Sequence, residues 1–195
     1  MLSDGYTDVP PGKIAAVVTY LQMTAPPPVE RQFLDLVPLR GDPARYRALF
    51  RRVGEPWLWF SRAGLDDARL AAILARPGVE AWALRAGGED AGLLELDFGG
   101  DGACELVYFG LVPGRTGQGL GQALMTQAIA RAFSRPITRL WVHTCTLDDP
   151  RALPFYIRSG FTPYRRAVEI ADDPRLTGGL PLDAAPHCPV IPQRD

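Results

Sequence analysis

The sequence predicts a mixed α/β domain, a mostly antiparallel sheet flanked by helices, and three observations carry that prediction. Apolar runs of strand length at residues 80–85, 91–98 and 104–112 are joined by Gly87-Gly88 and by Gly99-Gly100-Asp101-Gly102, the composition of hairpin turns. Runs of this kind alternate with segments of helical apolar spacing, in the order strand, strand, helix, helix, three strands, helix, strand, helix, strand. Between residues 106 and 133 an apolar strand passes through Pro113-Gly114 and a glycine-packed turn straight into a periodic helix.

Taken in order, residues 1–12 are polar and Pro-bearing and read as loose. Residues 14–23 (IAAVVTYLQM) read as a strand, which Pro26-Pro27-Pro28 cannot continue. Residues 33–39 form the second strand. Asp42-Pro43 supplies an N-cap acid and a first-turn proline for a helix to about Val53, ended by Gly54-Glu55-Pro56. A second helix runs from Leu65-Asp66-Asp67 to Leu74 and stops at Pro77-Gly78. After the three hairpin strands come the glycine turn and its helix, a strand at 137–144, a helix at 150–159 and a strand at 163–170. The expected organisation is one domain over residues 1–171, followed by a Pro/Gly-rich tail at 172–195.

Composition narrows the function. The chain has 195 residues, 47% hydrophobic and 22% charged, as in a soluble globular domain. Its net charge is −1, which argues against a general nucleic-acid footprint. Cys104, Cys145 and Cys188 are odd in number and widely spaced, so neither a disulfide framework nor a metal site is expected. No secretory signal pattern and no bilayer-length apolar run is present, so a cytoplasmic protein without a membrane partner is expected.

The stretch with the clearest chemistry is Thr116-Gly117-Gln118-Gly119-Leu120-Gly121. Leu120, Leu124, Ala128 and Ala132 form one stripe of the helix that follows, so the glycines sit at its N-terminus. Backbone N–H groups uncovered by side chains, together with the positive end of the helix dipole, make an anion site there. The plain alternative is a tight turn that binds nothing. A P-loop is excluded because Gln122-Ala123 stand where Lys-Ser/Thr is required. A dinucleotide fingerprint fits poorly, since the spacing is G-x-G-x-G and no acidic-ended strand follows.

This stretch resembles the acyl-CoA-binding motif of the GNAT superfamily of N-acetyltransferases, a strand ending near V-x-P followed by Q/R-x-x-G-x-G/A. Leu111-Val112-Pro113 match the strand end, and Gly119 and Gly121 the glycines. Thr116 departs from the usual Gln or Arg, with Arg115 one place early. A second stretch, Arg151 to Phe161 (RALPFYIRSGF), is similar to the family's A-x-x-x-Y-x-x-x-G-F. The resemblance implies a GNAT-like sheet in which residues 33–39 are the first core strand. Residues 14–23 would then be an extra N-terminal strand, added at an edge.

The resemblance also implies the activity, transfer of an acetyl (acyl) group from acetyl-CoA to a primary amine. The cofactor contacts it implies are Leu111, Val112, Thr116, Gly117, Gln118, Gly119, Leu120, Gly121, Gln122 and Asp149. Asp149 stands where the family often has Asn, which can donate as Asp cannot. Leu111 is the residue whose N–H is expected to polarise the thioester carbonyl. Tyr156 is the expected acid, with an ordinary phenol pKa of about 10, close to that of a thiol. Glu105 is the expected base; it lies six residues before Leu111, so strict alternation places both on one face. Glu95, Asp97 and His143 are its rivals, with His143 read as a buried, satisfied histidine. Trp57 and Trp59, with Phe60 and Glu55, are read either as an acceptor wall for a cationic or amphipathic amine or as ordinary packing aromatics. The acceptor is a small amine or a protein amine, and a homodimer is a further expectation. A non-catalytic acyl-CoA-binding domain on the same fold is the second reading, left open by Thr116 and Asp149.

Overall fold

The computed structural model describes residues 4–28 and 33–192. Among the described residues there are seven strands: β1 (Lys13–Met23), β2 (Asp35–Pro38), β3 (Val79–Ala86), β4 (Glu89–Gly100), β5 (Ala103–Leu111), β6 (Arg139–Cys145) and β7 (Thr162–Asp172). They form one sheet in the order β2-β3-β4-β5-β6-β1-β7. Every neighbour is antiparallel except β5 and β6, which run parallel. The helices are α1 (Pro43–Gly54), α2 (Asp67–Ala75), α3 (Leu120–Ala132) and α4 (Ala152–Arg158). None is long and apolar enough to cross a membrane among the described residues.

Local signals placed the helices well. The Asp42 carboxylate accepts from the N–H of Arg45 at 3.0 Å and that of Asp66 from Arg69 at 2.7 Å, each satisfying an orphan first-turn donor. Each sheet face carries its own core. On one face α1 and α2 bury Tyr46, Leu49, Phe50, Val53, Leu70 and Leu74 against Ala81, Ala83 and Leu93. On the other, Leu124, Met125, Ala128 and Ile129 of α3, with Tyr156 and Phe161 around α4, bury against Leu94, Leu96, Leu106, Leu140 and Val142. Truncating a side chain such as Leu124, which is wholly buried, to alanine costs about 2–5 kcal/mol.

The extra N-terminal strand is present, but it is not at an edge. β1 pairs with β6 on one side and β7 on the other. Ile14, Ala16 and Val18 are buried along its first half, Leu21 and Met23 along its second. Burial alternates along the strand and shifts phase between Val18 and Leu21, beside the bulge at Tyr20/Leu21, so that each half supplies a different sheet face. The outer strand at this end is β7, most of which is exposed.

The segment after β7 packs back on the α1 face. Leu180, Ala184 and Ala185 are buried there. Asp173 and Arg175 form a buried ion pair at 2.7 Å, and Arg175 also donates to the carbonyl of Cys188 at 2.7 Å. The N–H of Gly12 donates to the carbonyl of Ile191 at 2.9 Å, which ties the two ends of the described chain together.

Candidate active site

The site is a split in the sheet. β5 and β6 pair only at Ala103–Arg139, Cys104–Leu140 and Glu105–Trp141. Beyond Glu105 they part, because each stays with its other neighbour. β5 follows β4 as far as Gly92–Leu111, and β6 follows β1 as far as Val18–Cys145. A cavity of about 730 Å³ fills the gap and is lined by residues of both sheet faces.

Hydrogen-bond parity shows what the parted strand presents. The N–H of Val112 donates to the carbonyl of Ala91 at 2.9 Å, and Gly92 lies opposite Leu111. Bonded and non-bonded pairs alternate in an antiparallel ladder, so Leu111 and Phe109 direct their N–H and C=O groups away from β4, into the split. Val112 itself is buried, with its N–H engaged by Ala91. Gly110 lets α1 come close on this strand, since a Cβ there would lie 2.4 Å from Cγ1 of Val53.

At one end of the cavity lies the glycine turn. Gly119 caps α3 in the left-handed conformation (φ 77°), with no side chain satisfying the first-turn N–H groups. Gly117 is left-handed too (φ 81°), and a Cβ at either position would face open space. Thr116, Gly117, Gly119, Gly121 and Gln122 line the cavity, as does Leu111; Gln118 and Leu120 belong to the turn but not to the lining. The Arg115 guanidinium is 3.7 Å from the Glu89 carboxylate, over the β3–β4 hairpin. An uncapped helix start with bare, outward amides suits a pyrophosphate.

Tyr156 projects from α4 into the same cavity, its ring edge-on to Phe109, Phe155 and Phe161. Burial, reinforced by Asp148, pushes its phenol well above the ordinary value. The match with a free thiol expected from the sequence is therefore displaced. Cys145, on the same cavity wall, shows that the surroundings act on thiols likewise: burial pushes it up to about 11. Asp149 lines the rim with its carboxylate held by Arg151 at 2.5 Å, so it serves the start of α4.

At the other end lie Glu105, Trp57, Trp59 and Phe60. The strict alternation assumed for Glu105 fails. Glu95 pairs with Tyr108 but Leu96 with Leu106, so Val107 is a bulge on β5. The extra residue inverts parity. Glu105 shares the α1 face with Tyr108, while Phe109 and Leu111 pack on the α3 face. His143 is also not the buried histidine expected. It is exposed on 45% of its side chain, and its Nδ1 lies 3.6 Å from Glu105. The Glu105 carboxylate beside it holds the imidazole above its ordinary pKa.

The aromatic wall is braced by the chain around it. Leu58 adopts a left-handed backbone (φ 54°) after a short 3-10 turn and returns Trp59 beneath α1, against Phe50 and Tyr108. The Trp59 indole donates to Asp148 at 3.1 Å, and Trp57 packs on His187. Glu55 does not line the cavity; the charged group that does, just beyond the wall, is Arg62. Arg62 donates to Glu95, a fully buried carboxylate, at 2.8 Å, and Tyr46 donates to the other oxygen of Glu95. Of the rivals to Glu105, Glu95 is thus sealed off, and Asp97 is held by Arg76 at 2.7 Å. Ser61, Arg62 and Tyr108 carried no local sequence signal, because their grouping depends on the bulge and on contacts between distant segments.

Comparison with known proteins bears on this arrangement. A search of curated protein sequences returns no match. Among solved structures, a putative acetyltransferase of the GNAT family from Novosphingobium aromaticivorans superposes with a TM-score of 0.59 at 21% identity, over 83% of this chain and 67% of that one. A GCN5-related N-acetyltransferase from Kribbella flavida gives 0.54 at 18% identity; the match covers 86% of this chain and 63% of that one. An aminoglycoside acetyltransferase from an uncultured soil metagenomic sample, solved with sisomicin, gives 0.57 at 17%, over 70% and 93%. These likenesses establish the fold. The sequence profile of the Acetyltransferase (GNAT) family matches residues 46–161, more than half of the chain and all of the split, so the chain belongs to that family.

Proposed function

We propose that the protein is an N-acetyltransferase that moves the acetyl group of acetyl-CoA to a primary amine. The observation that carries this reading is the split itself, with the unpaired amides of Leu111 and Phe109 lying between an uncapped helix start and a pair made of a half-buried carboxylate and an exposed imidazole. Bare amides from Gly117 to Gln122 suit the cofactor's pyrophosphate. The Leu111 N–H, already free of the ladder, donates to the thioester oxygen as negative charge develops there. Glu105, steadied by His143, takes a proton from the ammonium so that the amine can attack. Tyr156 returns a proton to the departing sulfur. Its raised pKa keeps the phenol protonated, and so available as a donor, until the sulfur departs.

The test is a screen of primary amines with acetyl-CoA, following release of free thiol. Amine-dependent release is expected. Tight acetyl-CoA binding with no release from any amine would make this a binding domain instead.

A further inference from the structure

The acceptor end of the cavity has two chemically opposite corners. One is the Glu105–His143 pair. The other is built from Arg62, Ser61 and Tyr108. The Arg62 guanidinium lies over the Tyr108 ring, 5.5 Å from its centroid. Burial alone would lower its pKa, but the adjacent Glu95 charge outweighs that and holds it raised, so the group stays cationic. Glu95 and Tyr46 fix it from beneath while 17% of the side chain remains exposed. The Ser61 and Tyr108 hydroxyls bond to each other. Whichever donates, the other keeps a free O–H, so this corner offers a guanidinium and a hydroxyl as donors.

Among the described residues that line the cavity, no other carboxylate is left to compete at this corner. Glu95 is wholly covered. Asp148 is held by Trp59, Thr144 and the Cys145 N–H, and Asp97 by Arg76 and the Gly99 N–H. Glu169, which also lines the cavity, is on β7, three strands from β5 and hence about 14 Å across the sheet. Because of the Val107 bulge, Glu105 and Tyr108 are consecutive same-face residues of β5, about 7 Å apart. Both line one cavity with Arg62, which lies over Tyr108, so a single small acceptor bearing an ammonium and a carboxylate can face both corners. Trp57, Trp59 and Phe60 border the same space with apolar surface.

We propose that the acceptor is zwitterionic: an α-amino acid with an aromatic or large apolar side chain, its amine at Glu105 and its carboxylate at Arg62. This rests on the N-acetyltransferase reading above and specifies the acceptor for it. A carboxylate held by a fixed guanidinium and a hydroxyl raises kcat/KM about 10- to 100-fold over the amine that lacks it.

The experiment compares matched pairs, L-phenylalanine with 2-phenylethylamine and L-tryptophan with tryptamine, by acetyl-CoA-dependent thiol release. The amino acid of each pair is expected to be the better substrate by at least about tenfold. The double variant R62M/E95Q removes the cation together with its buried counter-charge, so no uncompensated charge is left to unfold the protein. In it the ratio is expected to fall toward one, through a higher KM for the amino acid. Equal use of both members by the wild type, or a ratio that survives in R62M/E95Q, overturns the proposal. Thiol release with other amines but with neither member of any pair also overturns it, and leaves N-acetyl transfer standing. Silence with every amine removes the underlying reading as well.

Discussion

The two ends of the cavity are made of different material. The end at α3 is backbone: left-handed Gly117 and Gly119, an uncapped helix start and the outward amide of Leu111. The end toward α1 is side chain: Glu105, His143, Arg62, Ser61 and Tyr108, each held by a neighbour. A backbone site tolerates almost any residue that adds no bulk. A side-chain site changes with each substitution. A fold that keeps its cofactor in the first and varies its acceptor through the second needs only this one asymmetry.

The comparison breaks most completely if the backbone end is blocked. Gly121 is the position for this, because it lies in ordinary helical backbone whereas Gly117 and Gly119 would be strained by any side chain. Gly121→Val should abolish the thermal stabilisation that acetyl-CoA gives the wild type, about 2.7 kcal/mol at a hundredfold excess over Kd. A folded variant that keeps the full shift would remove the turn from the cofactor site.

Tyr156 sits between the two ends. Tyr156→Phe should retain acetyl-CoA affinity and lose kcat by about 10²-fold. Full kcat in the variant would mean that the thiolate takes its proton from elsewhere.

The turn at Gly117 and Gly119 and the position of Tyr156 were the most legible parts of the site in the sequence. A glycine turn declares its geometry locally, since few other residues adopt φ near 80°. Tyr156 was singled out by a resemblance, through its place four residues before Gly160-Phe161, and the folded chain brings it to the cavity wall. Strand order and the acceptor end were less legible. β1 lies between β6 and β7 by pairings more than a hundred residues apart in sequence, which no local pattern encodes. The Val107 bulge inverted the alternation from which Glu105 was placed. Arg62 reaches Glu95 across 33 residues, and only the folded chain shows that Arg62, rather than Glu55, enters the cavity.

The smallest effects sharpen the side-chain end. Glu105→Gln should lower the rate about tenfold or more at neutral pH. Much of it should return at high pH, where solvent already deprotonates an amine of pKa about 10. An unchanged pH profile would make Glu105 structural. His143 tests the partner. Glu105 raises its pKa, so the imidazolium persists above the ordinary value of 6.5 and occupies the carboxylate there. His143→Asn frees Glu105 at lower pH, and the acidic limb of kcat/KM should move to lower pH. A limb that stays in place, or moves up, would uncouple His143 from the base.

If the split serves to free one backbone amide, that of Leu111 is the group to remove. Replacing the Leu111 amide by an ester, through semisynthesis, removes that N–H and nothing else. Because the group faces away from β4, stability should hardly change, while kcat should fall about 10²- to 10³-fold, the usual effect of deleting one oxyanion donor. An ester variant with wild-type kcat, or one that loses about 1 kcal/mol of stability as a broken ladder bond would, contradicts the account.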